Sequence, residues 1–144
     1  MKLEHALLGA LSLVACTRQP EDATPEGVVT LWLERVDEGR DDPAGAKARY
    51  DLLGPAAREA LEERAERAGR SLGKRLDAYE MLSVGAAGVR FHARSMKTEM
   101  HGDRATVVVS GSTPQESARI ETVRTSEGWR VEPDLSSPLR RDGG

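Results

Sequence analysis

One cysteine stands among the 144 residues, so no internal disulfide can staple the fold. Aromatic side chains make up 3% of the chain, two Trp, two Tyr and one Phe, and the interior must be filled by Ala, Val and Leu. No apolar run approaches the roughly 20 residues that a membrane-spanning helix needs. No basic block exists either. The 21 Lys and Arg are interspersed with 24 Asp and Glu for a formal net charge of -3, which argues against a nucleic-acid partner. Arg outnumbers Lys 17 to 4, a bias that reads as GC-rich codon usage rather than as 17 functional guanidinium groups. Histidine is scarce: His92 and His101 are nine apart with no neighbouring ligand at a familiar spacing, and His5 lies in the leading segment, so no metal is expected. There is no Gly-x-Ser-x-Gly elbow, and Gly85, Gly88 and Gly102 are not followed by the Lys-Ser/Thr of a phosphate loop. No cofactor is expected.

What the chain does have is a short apolar run over residues 6–15 that ends at the sole cysteine, Cys16. It is too short to span a bilayer and has the length of a secretory signal's apolar region, with Lys2 ahead of it and Glu4 opposing that charge. Leu13-Val14-Ala15-Cys16 resembles the lipobox of bacterial lipoproteins. The resemblance implies a signal peptide over residues 1–15, cleavage before Cys16, a diacylglyceryl group on its sulfur and an acyl chain (palmitate, for example) on the new amino terminus. One short acyl chain binds a membrane marginally, whereas two or three hold it firmly at about 0.8 kcal/mol per buried methylene. The competing reading makes Cys16 an ordinary small residue of a simple signal peptide, and leaves an unpaired thiol in an oxidising compartment. Thr17 stands where that family's inner-membrane retention signal usually has Asp, which implies an outer-membrane anchor facing the periplasm.

Residues 16–24 are the lipidated cysteine and a polar tether, of which the eight residues after Cys16 reach at most about 28 Å. Thr24-Pro25 starts a helix with Val28, Val29, Trp32 and Val36 on one side, which Gly39 can end. Asp42-Pro43 starts a second helix with Ala46, Tyr50 and Leu53 in its stripe, ended by Gly54. Pro55 starts a third, with Ala57, Leu61, Ala65 and Ala68 inward, Gly69 at its end, and Arg58, Glu59, Glu62, Glu63, Glu66 and Arg67 as a solvated face. Leu72, Leu76 and Tyr79 suggest one or two further turns, and residues 85–88 a loop.

From Val89 the apolar period changes to two, with Val89, Phe91 and Ala93 alternating against Arg90, His92 and Arg94. The phase then slips to Met96 and Met100, which predicts a long strand bent by a β-bulge near residues 94–96. His101-Gly102-Asp103 predicts a tight turn, residues 105–109 a central strand, residues 117–125 a third strand, and Ser126-Glu127-Gly128 a turn into Trp129-Arg130-Val131. Residues 133–144 read as a disordered tail. Helices followed by an antiparallel meander make an α+β domain over residues 25–132, with helices packed on one side of a curved sheet.

The amphipathic opening helix, the bent strand after Val89 and the closing hairpin Thr125-Ser126-Glu127-Gly128-Trp129-Arg130-Val131 resemble the nuclear-transport-factor-two-like (cystatin-like, cone-shaped) superfamily, and most closely its small bacterial lipoproteins. The resemblance spans residues 25–132 and rests on structural motifs. The sheet is one strand shorter than in the superfamily's larger enzymes. The resemblance implies two uses of the cone. One is a non-enzymatic domain that binds an envelope protein or a second copy through its open sheet face. The other is a small-molecule pocket with isomerase- or dehydratase-like activity, for which Asp77 would be the base and Tyr50 or Tyr79 the donor. Their spacing does not bring these together, and no catalytic residue is assigned. Arg90, His92 and Arg94 share one strand face and form a candidate patch for an anion or partner, against the simpler reading of a solvent-facing strand.

Overall fold

The computed structural model describes residues 19–38, 42–82 and 88–135. The expected signal peptide, Cys16, the expected stop at Gly39, most of the 85–88 loop and the chain beyond residue 135 lie outside the described residues.

Helix α1 spans Pro25–Glu38. Pro25 occupies its first turn, where a missing N–H costs nothing, and the Thr24 hydroxyl accepts from the Gly27 N–H at 3.0 Å as a cap. Val28, Val29, Trp32 and Val36 are buried, as the 3.6-residue period requires. Helix α2 spans Pro43–Tyr50, capped by the Asp42 carboxylate on the Ala44 N–H at 3.0 Å. Its stripe differs from expectation: Arg49 is the buried residue, Tyr50 is half-buried, and Leu53 has left the helix. Leu53 instead bridges Val131 in parallel, held by Gly54 N–H to Val131 O at 2.8 Å and Val131 N–H to Leu52 O at 2.9 Å.

Helix α3 spans Pro55–Leu72 and buries Ala57, Leu61, Ala65 and Gly69. It does not stop at Gly69. A Cβ at Gly69 would lie 2.6 Å from the Lys74 carbonyl oxygen, so that glycine makes room for the returning chain. The stop is Gly73, at φ 64°, whose N–H bonds back to Gly69 O. Gly54 supplies no side-chain cap at the other end. The Glu132 carboxylate does so from across the fold, accepting from Ala56 N–H at 3.2 Å and Ala57 N–H at 2.9 Å. Of the one or two further turns expected, one forms, the 3-10 turn Ala78–Met81.

The sheet is an antiparallel meander of β1 (Ser95–His101), β2 (Arg104–Ser110), β3 (Ser117–Thr125) and β4 (Gly128–Val131), in that order. The domain is therefore α+β. Gly102 at φ 68° opens the two-residue turn between β1 and β2, as its missing Cβ allows. The register puts Met96, Thr98 and Met100 of β1 on the same face as Ala105, Val107, Val109, Ala118, Ile120, Thr122, Trp129 and Val131. Helix α1 lies across this inner face and touches all four strands. Thr122 is tolerated there because its hydroxyl donates to Ala105 O at 3.0 Å.

Three expectations change at the margins. Residues 89–93 are not a strand, although burial still alternates along them. Arg94 N–H donates to Ser110 O at 2.8 Å while Ser95 is the register partner of Ser110, so two successive residues face one. The phase slip therefore marks where an irregular strap joins the sheet, not a bend within a long strand. The tether is shorter than its polar sequence suggests: Glu21–Ala23 forms a 3-10 turn packed on α1 and β4. Asp22 Oδ2 meets Arg130 Nη1 at 2.8 Å, and a Cβ at Gly27 would collide with the Glu21 carbonyl. At the other end Leu135 is 7% exposed and packs into the core, so the fold runs beyond residue 132.

Candidate binding cleft

The interior beneath α1 is filled by Val28, Val29, Trp32, Val107, Val109, Trp129 and Val131. Space opens towards one side of α1, against the strap of residues 88–94. There Leu33, Val36, Val89, Phe91, Ala93 and Met96 wall a cleft of about 300 Å³, with Thr30, Glu34, Asp37 and His92 also lining it. The Thr30 hydroxyl is 3.8 Å from Met96 Sδ, and its nearer contact is Glu26 O at 2.9 Å. The arrangement suits a small apolar molecule edged by two carboxylates and an imidazole. A larger depression of about 890 Å³ runs along the end of α3, but it is an open trough bordered by Glu62, Glu66, Arg70, Lys74, Arg75 and Asp77. Charges of both signs in open solvent gain little from one another or from a ligand.

Of the three basic residues on the strap, His92 lines the cleft, while Arg90 and Arg94 do not. All three side chains are exposed. The strand face that was to align them is an irregular segment, so their common feature is exposure rather than a ladder.

Asp77 and Tyr79 do come together, but as neighbours on one surface turn. The Asp77 charge beside it raises the Tyr79 phenol above its usual range. The Asp77 N–H donates to Glu80 Oε2 at 2.7 Å, which ties the turn to itself. Neither group faces an enclosed space, and a base at the surface lacks the desolvation that tunes a catalytic carboxylate. Tyr50 belongs to another neighbourhood. Its hydroxyl donates to Glu62 Oε1 at 3.1 Å, Arg58 lies over its ring at 5.3 Å, and burial followed by the Glu62 bond raises its pKa.

The outer face of the sheet is polar and largely paired with itself. Arg119 Nη2 meets Glu99 Oε2 at 2.9 Å, and the Thr106 hydroxyl donates to the Glu121 carboxylate, 2.8 and 3.0 Å from its two oxygens. Arg119 holds the Glu99 carboxyl below its ordinary pKa, first through that hydrogen bond and then through its charge. Among the described residues no trio of His, Cys, Asp or Glu is placed to hold a metal, and no helix is long and apolar enough to cross a membrane.

The contribution of α1 to the cleft was missed from sequence. The available signal was Leu33, four residues after Val29 and three before Val36, which widens the apolar stripe of α1 towards one side. The chain matches no protein-family model, no curated protein and no solved structure.

Proposed function

We propose that this is a lipid-anchored protein of the bacterial cell envelope, facing the periplasm from the outer membrane, whose single domain binds another protein rather than catalysing a reaction. The domain is read as a small member of the nuclear-transport-factor-two-like, cone-shaped superfamily. The anchor is Cys16, at the end of Leu13-Val14-Ala15-Cys16. The observation that carries the reading is the seat of residues 20–24. With Asp22 locked to Arg130, only residues 17–19 separate the anchor from the fold. Four residue steps from Cys16 to Pro20 reach about 14 Å at most, so the β3–β4 turn sits against the headgroups. The filled interior beneath α1 supports a binding role over a catalytic one.

The test is phase partitioning of the full chain expressed in a bacterium. Wild type is expected in the envelope fraction and the detergent-rich phase of Triton X-114, and Cys16→Ser outside that phase. A Cys16→Ser chain that partitions like wild type removes the anchor.

The cleft favours a second reading, a domain that takes up a small apolar molecule and has isomerase- or dehydratase-like activity. Leu33→Trp would fill the cleft. A ligand that raises the melting temperature of wild type but not of Leu33→Trp would support this second reading, and Arg90→Ala/Arg94→Ala would report separately on an anionic ligand or partner.

A further inference from the structure

Among the described residues β1 is an outer strand: β2 pairs on one side of it and no strand pairs on the other. An open edge is a template for another strand, and its sequence decides which. The β1 sequence is Ser95-Met96-Lys97-Thr98-Glu99-Met100-His101. Set antiparallel to itself about Thr98, it places Lys97 opposite Glu99, Met96 opposite Met100, and Thr98 opposite Thr98.

The backbone agrees with that register. The two-residue turn makes His101 and Arg104 the closing hydrogen-bonded pair, so Glu99, Lys97 and Ser95 direct their N–H and C=O groups to β2. Met96, Thr98 and Met100 then direct theirs outward, and these are the residues that a two-fold axis at Thr98 pairs through hydrogen bonds. Lys97 and Glu99 fall at the closer, non-hydrogen-bonded positions, where cross-strand side chains interact most strongly. Both charged residues are on the outer face. Met100, on the inner face, is 55% exposed, an unusual setting for a large apolar side chain that the pairing would cover.

We propose that two copies of this chain associate edge to edge through β1, joining their four-stranded sheets into one eight-stranded antiparallel sheet with reciprocal Lys97–Glu99 ion pairs and Met96–Met100 contacts. This names a partner for the binding role above, and does so without depending on the anchor. It also differs from docking through the open sheet face, where Arg119 pairs with Glu99 and Thr106 with Glu121; Arg119 meets Glu99 at Oε2, and Lys97 of the second copy would approach Oε1 of the same carboxylate. A seven-residue edge buries less than the roughly 1,200 Å² of a stable interface, so the pairing is weak when dilute and favoured when copies share a surface. Two strands, and so three inter-strand spacings of about 4.8 Å, separate β1 from β4, where the tether is seated, and keep the edge clear of the anchor.

Sedimentation equilibrium of the full chain in non-ionic detergent, as wild type and as Cys16→Ser, tests this. Both are expected to show a monomer–dimer equilibrium, so a failed anchor and a failed pairing give different results. Lys97→Glu puts like charges opposite each other twice per dimer and is expected to raise Kd about tenfold or more. Lys97→Glu/Glu99→Lys restores self-association, and a mixture of Lys97→Glu with Glu99→Lys forms heterodimers that neither forms alone. Lys97 is exposed, so Lys97→Glu keeps the wild-type circular dichroism and melt. For register, Lys97→Cys cross-links to Glu99→Cys and not to itself. A wild type that stays monomeric at every concentration overturns the proposal, as does a Lys97→Glu chain that dimerises like wild type or a Lys97→Cys chain that links as well to itself.

Discussion

The seat of residues 20–24 makes a quantitative demand on Asp22 and Arg130. Their side chains are 27% and 12% exposed, and the oxygen–nitrogen distance is 2.8 Å. Arg130 also donates to Trp129 O at 2.7 Å, so it stays in place when Asp22 is truncated, with one N–H left short of its charged acceptor. Breaking a hydrogen bond between charged groups costs about 1.5–3 kcal/mol when they are well buried, and an exposed ion pair is worth under about 1 kcal/mol. This pair lies between those limits, so Asp22→Ala should lose about 1–2 kcal/mol. The clean assay is a double-mutant cycle of Asp22→Ala, Arg130→Ala and the double variant by urea denaturation, which removes the packing each side chain loses alone. We expect a coupling of about 1–1.5 kcal/mol, with faster amide exchange over residues 21–24 in Asp22→Ala. A coupling of a few tenths of a kcal/mol or less, with unchanged exchange, would mean that the segment is a loose tether after all.

Glu132→Ala should destabilise by about 2 kcal/mol, from two N–H groups of α3 left uncapped and a carboxylate lost from the helix N-terminus; a melt shifted by less than about 2 °C would refute the long-range cap. Leu135→Ala should cost about 2–3 kcal/mol because the side chain is in the core, whereas the same change in an unstructured tail costs nothing measurable by denaturant unfolding. Glu99 has a lowered folded-state pKa, so its link to Arg119 favours the folded state above the unfolded glutamate's pKa and is lost as acid takes the pH down through the lower folded value. Carboxyl-carbon NMR titration should find Glu99 below the ordinary range in wild type and back near it in Arg119→Ala, and an unmoved titration would contradict the pairing.

Local chemistry made most of the helices and strands legible. Thr24-Pro25 and Asp42-Pro43 cap as read, and the period of two finds β2 and β3 because one face of each is buried against α1. What escaped depended on contacts distant in sequence. Residues 20–24 are polar and look like a linker. Their docking is recorded in Gly27 and Gly128, at which a Cβ would strike Glu21 and Asp22, yet a glycine does not say what approaches it. Gly69 reads as a stop because its real role, close passage of Lys74, needs the return of the chain. Alternation over residues 89–93 mimicked a strand: burial alternates along the strap, but it lacks ladder partners. The cleft was illegible for the same reason, since it lies between α1 and a segment more than 50 residues later. The self-complementarity of β1 was present in the residues throughout, but it gained meaning only when the sheet order left that strand at the edge.

Placement of the domain at a membrane depends most on the chemical state of one sulfur. Trypsin should release Cys16-Thr17-Arg18 from the envelope-purified chain, because Arg18 follows closely. Mass spectrometry of that tripeptide should find a diacylglyceryl thioether on Cys16 and an amide-linked fatty acid on its amino group. A tripeptide with a bare thiol and a free amine, or a chain that still carries residues 1–15, would contradict the anchor and with it the placement of the domain at the membrane.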